Sequence, residues 1–274
     1  MAFSVVTKGF EPPVWCSTDG SSTYYIGQIV TTIAASKANI VNGAVSPLAV
    51  PAGVADTTNF QIPFGVVVGL NKYYDAQGTY GTADTGVLTQ ANQKLRSFAG
   101  VEGMYVKSDP QVMIQVERIF PHTILRGNIY NAALGTAPTL LTTTAASATG
   151  FNSAGTTNAC EFTPVADMGT IYCRTGANAG LYRITHDTST TAPQCPLNFP
   201  SAIAIGDTFI RTPMRQGYSE VYIGGSDVPG MYVNNALTAL NNFTILVNRL
   251  GLETAGQEYV EFSFCLDHFC SKRA

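Results

Sequence analysis

Short runs of alternating or continuous apolar residues, each closed by a cluster of turn formers, recur along the chain, while the three-and-four spacing of an amphipathic helix is nearly absent. In residues 111–120, Val112, Ile114 and Val116 alternate with Gln111, Gln115 and Glu117. In residues 259–266, Val260, Phe262, Phe264 and Leu266 fall on one face and Glu261, Ser263 and Cys265 on the other. Period-two patterns of this kind predict strands with one buried and one wet face. Residues 23–30 and 64–70 are rich in β-branched and aromatic side chains and read as core strands. The glycines inside them, Gly27, Gly65 and Gly69, predict bulges or tight bends. Residues 169–185 read as strand, Gly/Asn turn, strand, which is a hairpin. Residues 206–211, 218–223 and 243–250 supply further strands. One helix is expected, over residues 86–98, where Val87, Ala91, Leu95 and Phe98 recur at intervals of three or four.

These elements predict an all-β protein with few or no helices. With 274 residues the chain has room for two medium domains, and we expect two β-barrel or β-sandwich, jelly-roll-like units, 1–125 and 126–274. The Ala/Thr/Gly/Ser-rich residues 132–158 leave three readings open: a linker, a long surface loop, or a pair of small-residue strands.

Composition changes the picture of the surface. Charged residues make up 12% of the chain, beside 26 glycines and 14 prolines, whereas a soluble domain ordinarily carries about 25% charge. At a net charge of −3, the outside must be covered by neutral polar and small apolar groups, a skin suited to being covered by other subunits. No cluster of Lys and Arg provides the footprint that phosphate neutralisation needs, so nucleic acid is not an expected partner. The opening residues lack the apolar stretch of about 7–15 residues that marks a signal peptide, and no window reaches the roughly 18 apolar residues of a membrane span. The expectation is a chain made in a cytosol, without a membrane partner.

Few residues are spaced for chemistry. Six cysteines, Cys16, Cys160, Cys173, Cys195, Cys265 and Cys270, read as reduced thiols in the absence of a secretion signal. Cys265, His268 and Cys270 lack a zinc-site spacing, and buried strand cysteines behave as small apolar groups. His122, His186 and His268 stand far apart. No nucleophile elbow, zinc-protease helix motif or phosphate-binding loop is present. His186 and Asp187 are a candidate acid/base pair on a turn, although adjacent turn residues are more often simply solvated. Most acids sit where Asp caps its own backbone, as at Asp109, Asp207 and Asp227. Accordingly no catalytic, cofactor or metal residues are expected.

Docking features stand out more. Phe10, Pro12, Pro13 and Trp15 combine a stiff Pro-Pro with the sole Trp. Such a segment either extends as an arm across a neighbouring subunit or places Trp15 in the end of the protein's own barrel. Arg174, Arg183 and Arg211 recur on successive expected strands. They form an interface row for carboxylate or carbonyl partners, or a set of internal ion pairs with Asp187 or Asp207.

Several segments carry a resemblance. Ile26-Gly27-Gln28-Ile29-Val30, Pro63-Phe64-Gly65-Val66-Val67-Val68-Gly69 and Gly103-Met104-Tyr105-Val106-Lys107-Ser108-Asp109 with Gln111-Val112-Met113-Ile114 do so in the first half. The run from Tyr172 to Arg183 and Gly206-Asp207-Thr208-Phe209 do so in the second. Together they resemble the head decoration, or cement, proteins of tailed bacteriophages. The resemblance implies a non-enzymatic virion protein on the outer surface of an icosahedral capsid. It would bind the major capsid protein and itself, as a homotrimer or a homodimer, and cement neighbouring subunits. Residues 1–125 would then bind the shell and residues 126–274 join copies or project outward. The competing expectation is a virion-surface carbohydrate- or host-binding β-protein, motivated by 13 tyrosines.

Overall fold

The computed structural model describes residues 3–7, 11–18, 22–32, 44–48, 62–70, 87–88, 113–130, 141–145, 152–153, 169–183, 186–187, 193–194, 199–212, 214–221, 223, 231–234 and 243–269. These form an all-β protein. Among them the one helical element is a 3-10 turn at Leu266–His268, and no helix is long and apolar enough to cross a membrane.

In chain order the strands are β1 (Ser4–Val5), β2 (Val14–Thr18), β3 (Tyr24–Tyr25), β4 (Ile29–Thr32), β5 (Ala44–Pro47), β6 (Pro63–Leu70) and β7 (Val87–Leu88). There follow β8 (Met113–Arg118), β9 (Leu125–Tyr130), β10 (Leu141–Ala145), β11 (Asn152–Ser153), β12 (Thr170–Cys173), β13 (Gly180–Arg183), β14 (His186–Asp187) and β15 (Pro193–Gln194). The last are β16 (Thr208–Thr212), β17 (Gly217–Val221), β18 (Val233–Asn234), β19 (Phe243–Gly251) and β20 (Tyr259–Phe264).

The ladders of β2, β5, β4, β6 and β8 run round in a closed ring, with β2 and β5 parallel and the other neighbours antiparallel. The ring encloses Cys16, Val30, Val45, Val67, Ile114 and Val116 together with Tyr24, whose hydroxyl donates to the Val45 carbonyl at 2.6 Å. Period two explains the wall strand β6, where Val67 faces this interior and the adjacent Val66 belongs to a different, larger core. The expected bulges are present, as register shifts between Val67 and Gly69 and between Val30 and Thr31. Gly65 lies so close to Val116 and the Glu117 carbonyl that a side chain there has no room.

A six-stranded sheet runs β1-β9-β20-β19-β17, with β18 parallel to β9. Its inner face carries Val260, Phe262 and Phe264. Leu266 departs from the expected alternation: β20 ends at Phe264, and Leu266 sits in the 3-10 turn, 65% exposed. A five-stranded sheet runs β11-β10-β16-β12-β13. The expected hairpin is β12–β13, with β16 on the other edge of β12. The described parts of the small-residue segment 132–158 are strands β10 and β11, paired through a bulge.

The largest hydrophobic cluster takes Phe3, Ile29, Leu48, Val66 and Ile119 from the first half of the chain and Ile129, Ile210, Val247, Phe262 and Phe264 from the second. The division expected at 125/126 falls at the first residue of β9, whose partners include β1 as well as β20. The expected helix over 86–98 is not formed where the structure describes it. Val87–Leu88 is instead a strand paired with Tyr24–Tyr25, its backbone groups taken by the neighbour rather than by a helical turn. The rest of that segment lies outside the described residues.

Buried thiols follow from this packing. Cys16 is buried and free, Cys173 is buried, and Cys265 is free and partly buried. Burial pushes the Cys16 thiol up to about 11 despite the opposing pull of Arg118. Cys16 is therefore expected to resist iodoacetamide in the folded chain at pH 8 and to label fully in urea, with folded-state reactivity rising only as pH approaches 11. Peptide mass mapping after a timed pulse checks this. Because the folded pKa is the higher one, this thiol's contribution to stability is complete below pH 9.0 and is lost between there and about 11.

Candidate docking surfaces

The Pro-Pro segment does not leave the molecule. Pro12 and Pro13 are exposed, but β2 directly after them is hydrogen-bonded to β8 on one edge and β5 on the other. Glu11 beside them pairs with Arg118 at 3.0 Å, both partners solvent-exposed. The arm expectation is thus corrected for β2, whose backbone pairs with β8 from Val14 to Ser17 and with β5 at Ser17 and Thr18. Phe10 lies outside the described residues. Trp15 does not fill the barrel either. Alternation sends Cys16 inward and Trp15 outward, 42% exposed, and the aromatic side chain in the barrel core is Tyr24. Trp15 stands opposite Gln115 across the β2–β8 ladder. The Gln115 amide lies over Gly69, where a Cβ would meet its Oε1 at 2.9 Å. Trp15, Gln115 and Gly69 are thus cross-strand neighbours on the outer face of the ring.

The three arginines do not form a row. Arg183 is in register with Thr170 and Arg211 with Ile171, neighbouring residues of β12, so the two side chains leave opposite faces of the sheet. Arg183 is exposed, whereas Arg211 is 1% exposed in β16 and offers nothing to an outside partner. Arg174 is internal as well, but its partner is neither Asp187 nor Asp207. Its Nη2 reaches Glu258 Oε1 at 2.6 Å, and Nε and Nη2 both donate to the Leu252 carbonyl, at 2.9 and 2.8 Å. This fork ties the end of β12 to the turn between β19 and β20.

Sequence reasoning missed the surface residues the fold does present. Tyr218 (66% exposed) and Leu246 (38%) face each other across the β17–β19 ladder. Further along the same sheet, Arg126 stacks on Tyr259 at 3.5 Å, with Arg249 at 5.7 Å from the same ring. Leu181 (41%) stands on the edge strand β13, and Ile205 (71%) tops the turn before β16. For Ile205 a signal was available: Ile205-Gly206-Asp207 is a turn sequence, and an apolar residue ahead of a turn glycine has no core to enter.

His186 and Asp187 lie in β14, paired with β15. Of the residues around the 3-10 turn, the Cys265 thiol is raised by burial and then by Asp267, which opposes the thiolate a metal needs. Cys270 lies outside the described residues, and among those described no group of three or more His, Cys, Asp or Glu is gathered. Compared with known proteins, the chain matches no family model, no curated sequence and no solved structure.

Proposed function

We propose that this chain is a non-enzymatic virion structural protein that seats on the outer surface of an icosahedral phage shell and ties neighbouring coat subunits together. The observation that carries the reading is Trp15. A large aromatic, 42% exposed, is held on a strand that pairs with β8 at Trp15 itself and with β5 from Ser17 on, so its backbone is ordered before a partner arrives. The exposed Pro12 and Pro13 beside it extend the footing, next to the exposed Glu11–Arg118 pair. Low charge over the rest of the chain is in keeping with an assembly component rather than a free-standing domain. Each contact across a seam between coat subunits adds burial, and repetition over a shell multiplies the effect.

The test uses phage heads assembled without this chain. Purified protein is expected to co-sediment with them and raise their resistance to heat, and Trp15→Ala is expected to weaken binding by about 2 kcal/mol or more. Heads that neither retain the protein nor gain heat resistance would reject the proposal.

A second reading is favoured by the same residue's surroundings. An exposed Trp15 cross-strand from Gln115, whose amide lies over Gly69, suits stacking and hydrogen bonding to a sugar ring, so a carbohydrate- or host-binding role competes. Binding on a glycan array that Trp15→Ala abolishes would carry it; a silent array removes it.

A further inference from the structure

Three charges stand in one row on the outer face of the six-stranded sheet. Glu261 of β20 is in register with Arg126 of β9 on one side and with Arg249 of β19 on the other, so all three side chains leave the same face. Unlike charges placed directly opposite each other ordinarily pair. Here both guanidinium groups turn to Tyr259 instead, two residues back along β20. Arg126 lies over the ring at 3.5 Å and Arg249 at 5.7 Å. The ring rests on Gly251, its neighbour in register on β19, where a side chain would occupy the same space. Among the described residues, the side chains of Arg126, Arg249 and Glu261 have no hydrogen-bond or ion-pair partner.

Stacking positions the two cations without neutralising them. A guanidinium held flat on an aromatic ring keeps its in-plane N–H donors outward, in the fork that matches a carboxylate. By contrast, Arg118 and Arg174 commit theirs to Glu11 and Glu258. Arg126 and Arg249 are both exposed, on strands two apart, roughly 10 Å at the backbone. The adjoining stretch of the same face is apolar. Leu246 stands opposite Ser263, two residues beyond Glu261, and Tyr218 stands opposite Leu246, the pair being 38% and 66% exposed.

The charge pattern selects the occupant. A positive, negative, positive row is complementary to a surface that sets carboxylates against the arginines and a base against Glu261. A uniform polyanion, whether an acidic polysaccharide or a nucleic acid, meets Glu261 with like charge and brings no apolar side chains to Leu246 and Tyr218. A polypeptide supplies acids, base and apolar groups together. We propose that this face docks a segment of another protein in which acidic residues flank a base beside apolar side chains, with Arg126 and Arg249 receiving the carboxylates. The inference goes beyond the shell reading, which stands on Trp15 in the ring, and does not depend on it.

Retention on immobilised polymers of simple composition tests it. The wild type is expected to bind a random copolymer of Glu, Lys and Tyr more tightly than polyglutamate or alginate, and to lose most of that binding at about 0.5 M salt. Arg126→Gln with Arg249→Gln is expected to weaken copolymer binding by about tenfold or more. Both side chains are exposed, so the far-UV circular dichroism and urea midpoint of this variant are expected to stay near wild type. Arg249→Gln alone leaves the Arg126–Tyr259 stack in place and is expected to weaken binding by a smaller factor. A wild type that ignores the copolymer, or a folded double variant that binds it as tightly, overturns the inference. Alginate bound more tightly than the copolymer, and lost in the double variant, assigns the face to an acidic polysaccharide and overturns it too. So does a wild-type oligomer in sedimentation velocity that the double variant dissociates, because the occupant is then a second copy. Phage heads separate this surface from the shell reading. Heads bound by a chain that fails the copolymer test leave the shell reading standing alone, whereas a chain that passes it and ignores heads leaves this surface standing alone.

Discussion

Glu258→Gln is expected to destabilise the chain by about 3–5 kcal/mol, because it leaves the Arg174 guanidinium buried without a counter-charge. The side chains of Arg174 and Glu258 are 10% and 2% exposed, so water cannot take over. The substitution keeps an oxygen able to accept the Gly256 N–H, which Glu258 Oε1 holds at 3.1 Å, and the turn therefore survives while the charge is lost. Urea unfolding at an unchanged slope is the measurement. The double variant Arg174→Met with Glu258→Gln is expected to recover part of the loss, since it removes the unpaired buried charge but takes both donors from the Leu252 carbonyl. Glu258 Oε2, buried with no hydrogen-bond partner, already subtracts from what the pair contributes. A single variant with the wild-type midpoint would mean that apolar contacts alone join β12 to the β19–β20 turn.

What could be read from the sequence follows from which signals are local. Period-two alternation is local, so β8, β19 and β20 and the β12–β13 hairpin were legible, as was the all-β class. Where a strand serves two cores the alternation is hidden: Val66 and Val67 are both buried, in different clusters, and only the closed ring explains why. Pairing at long range was not legible. Val87 carries helical spacing in sequence, yet Tyr24 and Tyr25 recruit Val87–Leu88 into a ladder. The surface residues were mixed. Trp15 was picked out by its rarity, but its direction depended on the register of β2 against β8. Arg174 looked like its two fellow arginines until Glu258, 84 positions away, claimed it. Tyr218 looked like an ordinary strand aromatic, because exposure is a property of the assembled sheet, whereas the turn sequence at Ile205 carried a signal that went unread.

Phe262→Ala is expected to cost about 3–5 kcal/mol, the transfer free energy of the ring plus the cavity it leaves. Phe262 is fully buried. Its ring meets Phe3 edge-on at 6.0 Å and Phe264 at 5.4 Å, and Phe3 in turn lies flush on Gly127, where no side chain fits. Neighbours held by a sheet on one side and a glycine contact on the other have little freedom to collapse into the gap, which places the loss toward the upper part of the range. The consequence reaches beyond β20. The cluster around Phe262 includes Val66 of the ring and Ile210 of the five-stranded sheet, so a cavity there weakens all three sheets together. The chain has one Trp, Trp15, and it lies in the ring. Its fluorescence therefore reports the ring alone, while circular dichroism reports every sheet. Both signals are expected to shift to the same lower urea midpoint in Phe262→Ala. If Trp15 keeps its wild-type midpoint while the dichroism transition moves, the ring is an independently stable unit, and the shared cluster contributes little to it.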